Sequence, residues 1–176
     1  NMISLVGDDN FLLDLDRAEE LRRCVVESGQ IFSTLIFGSA DKVMDFGAEK
    51  LAEMGVGMVW IGRESEFSNY PKNRGIDMQS LIHELRRYGI KTILSSILLL
   101  DNHTKKNIRN DIDHHLACRP EFSQFSHYAP LPGTPLWDRM GEEGRLIPGI
   151  PWEEMHAFNE PWFYHPHFTS REAKDI

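Results

Sequence analysis

The segment LAEMGVGMVWIGRES, residues 51–65, contains a complete passage from helix to strand to polar loop. Gly55 ends the helical pattern, because glycine readily adopts the left-handed backbone that closes a helix. Residues 56–62 are all apolar or glycine, which predicts a buried strand, and the polar residues 63–65 follow at once. A short apolar strand that follows a helix is typical of a parallel sheet covered by helices.

The rest of the chain repeats this pattern. The apolar segments that predict strands are residues 2–7, 31–37, 56–62, 90–99 and 122–128. Helices are predicted after them, beginning at Asp16, Asp41, Asp77, Thr104 and Thr134. The sequence therefore predicts an α/β fold with a parallel sheet. Five strands cannot close an eight-stranded barrel, so the sheet is either open and doubly wound or an incomplete, partial parallel β/α barrel.

The composition of the chain argues against several classes of function. Its 176 residues suffice for one compact domain. The net charge of −8 argues against a nucleic-acid partner, because phosphate binding requires clustered Lys and Arg. No apolar run is long enough for a membrane span. Cys24 and Cys118 form neither a disulfide framework nor a metal cassette, and we expect a cytoplasmic protein.

Polar residues follow each predicted strand, at the ends where parallel α/β folds carry their chemistry. They are Asp8, Asp9, Asn10, Gly38, Ser39, Arg63, Glu64, Ser65, Asp101, Asn102, His103, His127 and Tyr128. No glycine-rich phosphate loop follows any strand, so nucleotide phosphates are poor ligand candidates. This acidic rim favours a ligand with a cationic group and hydroxyls. Two alternatives stay open: Asp8 and Asp9 as simple turn residues, and a Ser/His/Asp triad, although no G-x-S-x-G sequence is present.

Four segments, in their order and spacing, resemble the later part of the radical S-adenosylmethionine (SAM) core. They are VGDDNF (6–11), LAEMGVGMVWIGRES (51–65), LIHELRRYGIKT (81–92) and QFSHYAPLPGTPLWDRMGEEGRL (124–146). The likeness is strongest to the subgroup of Fe–S enzymes that carry a cobalamin-binding domain upstream. It implies that the five strands are numbers two to six of a six-strand partial barrel. Residues 1–150 would then be a core fragment lacking the first strand and the cluster loop, and residues 151–176 an irregular, aromatic-rich extension.

The resemblance also implies a set of SAM-binding residues. Gly7, Asp8 and Asp9 match the strand-end motif that holds the amino group of the methionine moiety. Glu64, flanked by Arg63 and Ser65, matches the position that meets the ribose or the carboxylate. The segment Tyr128 to Pro130 matches the turn near the adenine, and Ile97 is kept in the fifth strand of the arc.

One segment departs from the family's pattern. In ILLLDNHT (97–104), Leu99, Asp101 and His103 stand where the family has Gly, Pro and Glu. A leucine in place of that glycine is expected to crowd a ring packed against the strand.

The implied parent enzyme reductively cleaves SAM with a 4Fe–4S cluster, and the resulting radical leads to oxidation, cyclisation or methylation of a small organic substrate. Cobalamin is an implied further cofactor of the parent, held by an upstream domain. The cluster cysteines are absent here, so the isolated fragment is expected to be inactive and to bind no metal. Two alternatives stay open: a degenerate barrel acting as an interaction module, and a cluster-free α/β hydrolase or lyase. We also expect dimerisation through the exposed edge of the first strand.

Overall fold

The computed structural model describes residues 2–68, 73 and 75–176. Its strands are β1 (Met2–Leu5), β2 (Phe32–Phe37), β3 (Val56–Glu64), β4 (Lys91–Leu98) and β5 (Phe122–His127). Its α-helices are α1 (Leu15–Ser28), α2 (Ala40–Phe46), α3 (Ala48–Glu53), α4 (Met78–Arg87), α5 (Ile108–Ala117), α6 (Pro135–Glu142) and α7 (Ser170–Lys174). Each of the five predicted strands is therefore present, with shifted ends.

The order of the strands decides between the two predicted arrangements. The sheet is parallel and its order is β1-β2-β3-β4-β5, so every strand pairs with its neighbour in sequence. A doubly wound sheet reverses its order at a switch point, whereas a barrel arc continues in one direction. The predicted fold class, α/β with a partial parallel barrel, is confirmed. β1 lies at one end of this order, as the predicted dimerisation through its edge requires. The dimerisation itself stays a prediction.

Helix caps follow the sequence signals in two cases. The Asp77 side chain accepts hydrogen bonds from the backbone N–H groups of Gln79 and Ser80 at the start of α4. The Thr134 side chain caps α6, whose first residue is Pro135. The cap of α1 is Asp14, whose carboxylate accepts from the Arg17 N–H, so the prediction of Asp16 was off by two residues.

The predicted single helix that begins at Asp41 is wrong, because Gly47 divides it into α2 and α3. Gly47 has a φ of 91°, a backbone conformation that side chains other than glycine rarely adopt. Helix α5 begins at Ile108 instead of Thr104, and residues 105–107 form a turn in which the Asn107 side chain accepts from the Thr104 N–H.

The described chain forms two compact units. Unit 1 lies within residues 1–64, 69–95 and 114–124, and unit 2 within residues 65–68, 96–113 and 125–176. The largest fully buried side chains of unit 1 are Leu12, Ile36, Leu51, Ile61, Ile82, Leu85, Ile90 and Leu94. Unit 2 packs around Leu98, Leu99, Ile108, Met140, Phe163, Phe168 and Ala173. The boundary predicted at residue 150 stays a prediction.

The C-terminal segment contributes to the core of unit 2. Trp162 and Phe163 are buried, and the indole N–H of Trp162 donates to the Pro130 carbonyl at 3.1 Å. His165 is also buried, and its Nε2 donates to the Leu100 carbonyl at 2.8 Å. The aromatic side chains of Trp162, Phe163 and Phe168 in this segment therefore serve packing. Among the described residues, no helix has the length and apolar character needed to cross a membrane.

Candidate ligand-binding cavity at the strand ends

In unit 1, the carboxyl-terminal parts of the first four strands and their loops line a cavity of about 240 Å³. The lining residues are Asp9, Asn10, Phe37, Gly38, Ser39, Trp60, Gly62, Glu64 and Ser95. These residues meet because the carboxyl ends of parallel strands lie at one edge of a sheet. Of the predicted SAM-binding residues, Asp9 and Glu64 are brought together here.

Asp9 is an exposed carboxylate at the cavity. Its side chain makes no hydrogen bond or ion pair with any residue that the structure describes. A carboxylate in this state can accept charge-assisted hydrogen bonds from a cationic ligand.

Asp8 already has partners of its own. One carboxylate oxygen accepts from the Asn10 N–H at 3.0 Å and the other from Arg17 Nη2 at 2.9 Å. The Asn10 N–H, followed by Arg17, lowers the pKa of Asp8 below its ordinary value. These contacts are those of a turn residue, and the role of Asp8 in ligand binding stays a prediction.

A pair of hydrogen bonds joins the loop after β1 to the loop after β2. Asn10 Oδ1 accepts from the Ser39 N–H at 3.1 Å, and Asn10 Nδ2 donates to Ser39 Oγ at 3.2 Å. Both side chains line the cavity. Because two loops are fixed to each other by two bonds, this part of the rim is held in place before any ligand arrives.

The backbone at the end of β3 has an unusual conformation. Glu64 has a φ of 67°, in the left-handed region that is uncommon for residues other than glycine. Asn73 Nδ2 donates to the carbonyls of Gly62 and Arg63 at 3.0 and 2.8 Å, and these bonds brace the end of the strand. Asn73 is a positioning residue that the sequence pattern did not reveal.

Alternation along β3 separates the residues at its end. Trp60, Gly62 and Glu64 lie on the face that lines the cavity, whereas Ile61 and Arg63 are buried on the opposite face. Arg63 is 5% exposed and is not part of the lining. Gly7 is not part of the lining either, and the predicted roles of both residues stay predictions.

The apolar wall of the cavity is an aromatic pair. Phe37 and Trp60 are partners in the β2–β3 register, and their rings stack with centroids 5.0 Å apart and planes at 27°. Each appears in sequence as one more apolar residue of a strand, so the sequence analysis missed both. Period-2 alternation combined with the strand register would have placed them on the cavity face.

The other predicted SAM-binding residues, Ser65, Ile97, Tyr128 and Pro130, belong to unit 2. Ser65 is buried, and Ile97 and Tyr128 are half-buried. Pro130 is buried, and its carbonyl accepts from the indole N–H of Trp162. Their roles in binding stay predictions.

Ser65, His103 and Asp111 form a buried cluster in unit 2, and its geometry does not suit nucleophilic catalysis. The same nitrogen, His103 Nε2, lies 3.1 Å from Asp111 Oδ2 and 3.3 Å from Ser65 Oγ. The other nitrogen, Nδ1, accepts from the Leu100 N–H at 3.1 Å, which leaves the proton on Nε2. A catalytic triad needs its acid and its nucleophile on opposite ring nitrogens. The cluster instead holds the loop after β3, since Asp111 also accepts from the Glu66 N–H.

Leu99, which stands at the glycine position of the resemblance, also has a left-handed backbone. Its φ is 60° and its side chain is 2% exposed. This conformation is an outlier for a bulky residue. The position therefore calls for glycine, and the leucine is tolerated because its side chain is buried in the core of unit 2.

Comparisons with known proteins show where this fold occurs elsewhere. No protein-family model matches the chain. An uncharacterized methyltransferase of Pyrococcus horikoshii is 22% identical over 174 residues, which cover 96% of this chain and 38% of that protein. TsrM of Kitasatospora setae, solved with cobalamin and a 4Fe–4S cluster bound, superposes with a TM-score of 0.65 at 19% identity over 84% of this chain and 30% of TsrM. The chain has the fold of part of this radical SAM methyltransferase.

The predicted resemblance to the radical SAM superfamily is thereby confirmed at the level of the fold. A second TsrM structure, with tryptophan substrate and the SAM analogue aza-SAM, gives a TM-score of 0.62 at 19% identity, over 82% of this chain and 31% of TsrM. The chain spans about a third of the length of these relatives.

Proposed function

We propose that the chain is the SAM-binding part of a longer radical SAM methyltransferase and that the strand-end cavity holds the methionine end of SAM. One observation carries this proposal: in a radical SAM fold, the carboxylates of Asp9 and Glu64 line a single cavity at the ends of β1 and β3. SAM has an ammonium group and ribose hydroxyls, and both can donate charge-assisted hydrogen bonds to carboxylates. The TsrM structure with aza-SAM supports this choice of ligand.

The size of the cavity agrees with partial occupancy by SAM. Ordinary pockets for small molecules enclose about 300–1,000 Å³, and this cavity encloses about 240 Å³. We therefore propose that the cavity takes the methionine moiety with its sulfonium.

The residues of this chain do not fit an iron–sulfur cluster. The sequence has two cysteines, and among the described residues no group of three His, Cys, Asp or Glu side chains is placed to hold a metal ion. We propose that other segments of the whole protein supply the cluster ligands and the cobalamin-binding domain, and that the substrate is a small organic molecule. The role of this chain is then to bind and orient SAM and to shield it from water.

The proposal is tested by measuring SAM binding to the 176-residue chain by isothermal titration calorimetry. We expect Asp9→Asn to weaken binding about tenfold, because it removes a charge-assisted contact with the ammonium group. Asp45→Asn is the matched control, since Asp45 is an exposed carboxylate of α2 outside the cavity. Equal affinities of the wild type and Asp9→Asn, or no binding of SAM to any form, would contradict the proposal.

Leu99 favours the second candidate function, a degenerate barrel that acts as an interaction module. A buried leucine occupies the position where the resemblance has glycine. Absence of SAM binding in the titration above, with the chain folded, would favour this candidate. The hydrolase alternative has no support from the Ser65–His103–Asp111 geometry described above.

A further inference from the structure

The Phe37–Trp60 pair lines the cavity but has no part in the hydrogen bonds proposed for SAM. The two rings form an apolar wall, and Asp9 and Glu64 line the same cavity. Both rings are half-buried and lie on the cavity face of their strands. An aromatic wall beside carboxylates is suited to an organic cation, because both surfaces attract positive charge.

Stacking decides which part of the pair is available to a ligand. With their centroids 5.0 Å apart, each ring covers one face of the other. The stack occupies one face of each ring, and the indole of Trp60 attracts a cation more strongly than the benzene ring of Phe37. Phe37 also restricts rotation of the indole, so Trp60 is held in orientation before a ligand binds.

SAM carries two positive charges that require different partners. Its ammonium group donates N–H hydrogen bonds and suits the carboxylates. Its sulfonium is bonded to three carbon atoms and has no hydrogen to donate to an acceptor. An aromatic face stabilises such a cation without a hydrogen bond.

We infer that Trp60 is a specificity-determining residue that contacts the sulfonium of SAM, so that the cavity prefers this cation to a neutral thioether. This inference rests on the proposed function. It gives Trp60 and Asp9 separate roles: Asp9 binds the ammonium group that both compounds share, and Trp60 distinguishes the charge at sulfur.

The test compares SAM with S-adenosylhomocysteine, which lacks only the methyl group and the positive charge at sulfur. Dissociation constants of both compounds are measured by calorimetry on the 176-residue chain. We expect the wild type to prefer SAM about tenfold, Trp60→Phe to retain a smaller preference, and Trp60→Leu to lose it. Circular dichroism and thermal unfolding establish that each variant is folded.

Two further variants separate the roles. Asp9→Asn is expected to weaken both compounds by the same factor and to leave their ratio unchanged. Trp152→Leu is the matched control for loss of an indole, since Trp152 is 72% exposed and belongs to unit 2; it is expected to change neither constant.

The outcomes distinguish the inference from the proposed function. If SAM binds but the wild type shows no preference over S-adenosylhomocysteine, or Trp60→Leu keeps the preference, the inference is overturned and the proposed function stands. A ratio that changes in Asp9→Asn but not in Trp60→Leu assigns the sulfonium to the carboxylate and also overturns it. If neither compound binds the folded chain, both fall.

Discussion

At the scale of single residues, Leu99 is where the backbone and the side chain make opposing demands. Its left-handed φ of 60° favours glycine, while its side chain is 2% exposed and is therefore buried in the hydrophobic core. The left-handed conformation costs an L-residue about 1–2 kcal/mol, and burial of a leucine side chain contributes about 1.5–3 kcal/mol. Burial therefore offsets the strain.

This balance gives an unusual order of stability among variants. We expect Leu99→Gly to be more stable than Leu99→Ala by about 1 kcal/mol, because both lose the side chain but only glycine relieves the strain. Leu94 is the matched control: it is fully buried in β4 and is not among the residues with positive φ. There, Ala is expected to be more stable than Gly by about 0.5–1 kcal/mol. Urea unfolding of the four variants measures both differences, and the same order at both positions would contradict the strain.

Asp8 and Asp9 show how far sequence reasoning reaches at this scale. The sequence predicts that both acids follow the first strand, and both lie in the loop after β1. It cannot tell that Arg17, nine residues later, pairs with Asp8 at 2.9 Å while Asp9 lines the cavity. That difference depends on the direction in which the turn places each side chain, and the contacts that fix this direction come from a helix further along the chain.

At the scale of elements, α7 shows how a five-residue helix is held. Thr169 and Glu172 form a capping box, in which the Thr169 side chain accepts from the Glu172 N–H and the Glu172 carboxylate accepts from the Thr169 N–H. The Lys105 ammonium adds an ion pair to Glu172 at 2.5 Å. Lys105, followed by the N–H and hydroxyl of Thr169, lowers the pKa of Glu172 to about 2.

The stabilisation of α7 by Glu172 therefore depends on pH. The carboxyl has a lower pKa in the folded chain than its ordinary 4.5, so its contribution is complete above pH 4.5 and is lost as the pH falls through about 2. We expect Lys105→Met to raise the pKa of Glu172 towards 4.5, as followed by the carboxyl carbon resonance in a pH titration. Lys106→Met, one residue along, should leave it unchanged. A pKa that stays near 2 in Lys105→Met would show that the cap alone is responsible.

The predicted elements that hold and those that fail differ in the range of their causes. The Asp77 cap is a local signal, because the acid and the N–H groups that it accepts from lie within three residues. The division at Gly47 is different, since glycine is compatible with both a helix interior and a break, and the surrounding packing decides. The strand order was also open from sequence, because apolar runs do not say which strands pair.

At the scale of the whole molecule, the two cysteines limit what the chain can hold. Cys24 is exposed and Cys118 is buried, and neither belongs to a candidate metal group among the described residues. We expect anaerobic reconstitution with iron and sulfide to leave the 176-residue chain without a stoichiometric 4Fe–4S cluster, as measured by iron analysis and visible absorption. Stoichiometric iron in the wild type that is lost in Cys24→Ser would contradict this expectation. Met2→Leu, which leaves both cysteines in place, controls for losses during preparation of the variant.

Gly55, which ends α3 before β3, limits how this sequence can vary over evolution. Its φ is 79°, and a Cβ placed there would lie 3.0 Å from both the Cβ and the carbonyl oxygen of Phe32. Gly89 has a φ of 75° but has no such neighbour within 4 Å. Asparagine, which tolerates the left-handed conformation, is therefore an acceptable substitute at position 89 but meets the β2 backbone at position 55. Homologues that keep this strand pairing should vary at position 89 and retain glycine at position 55.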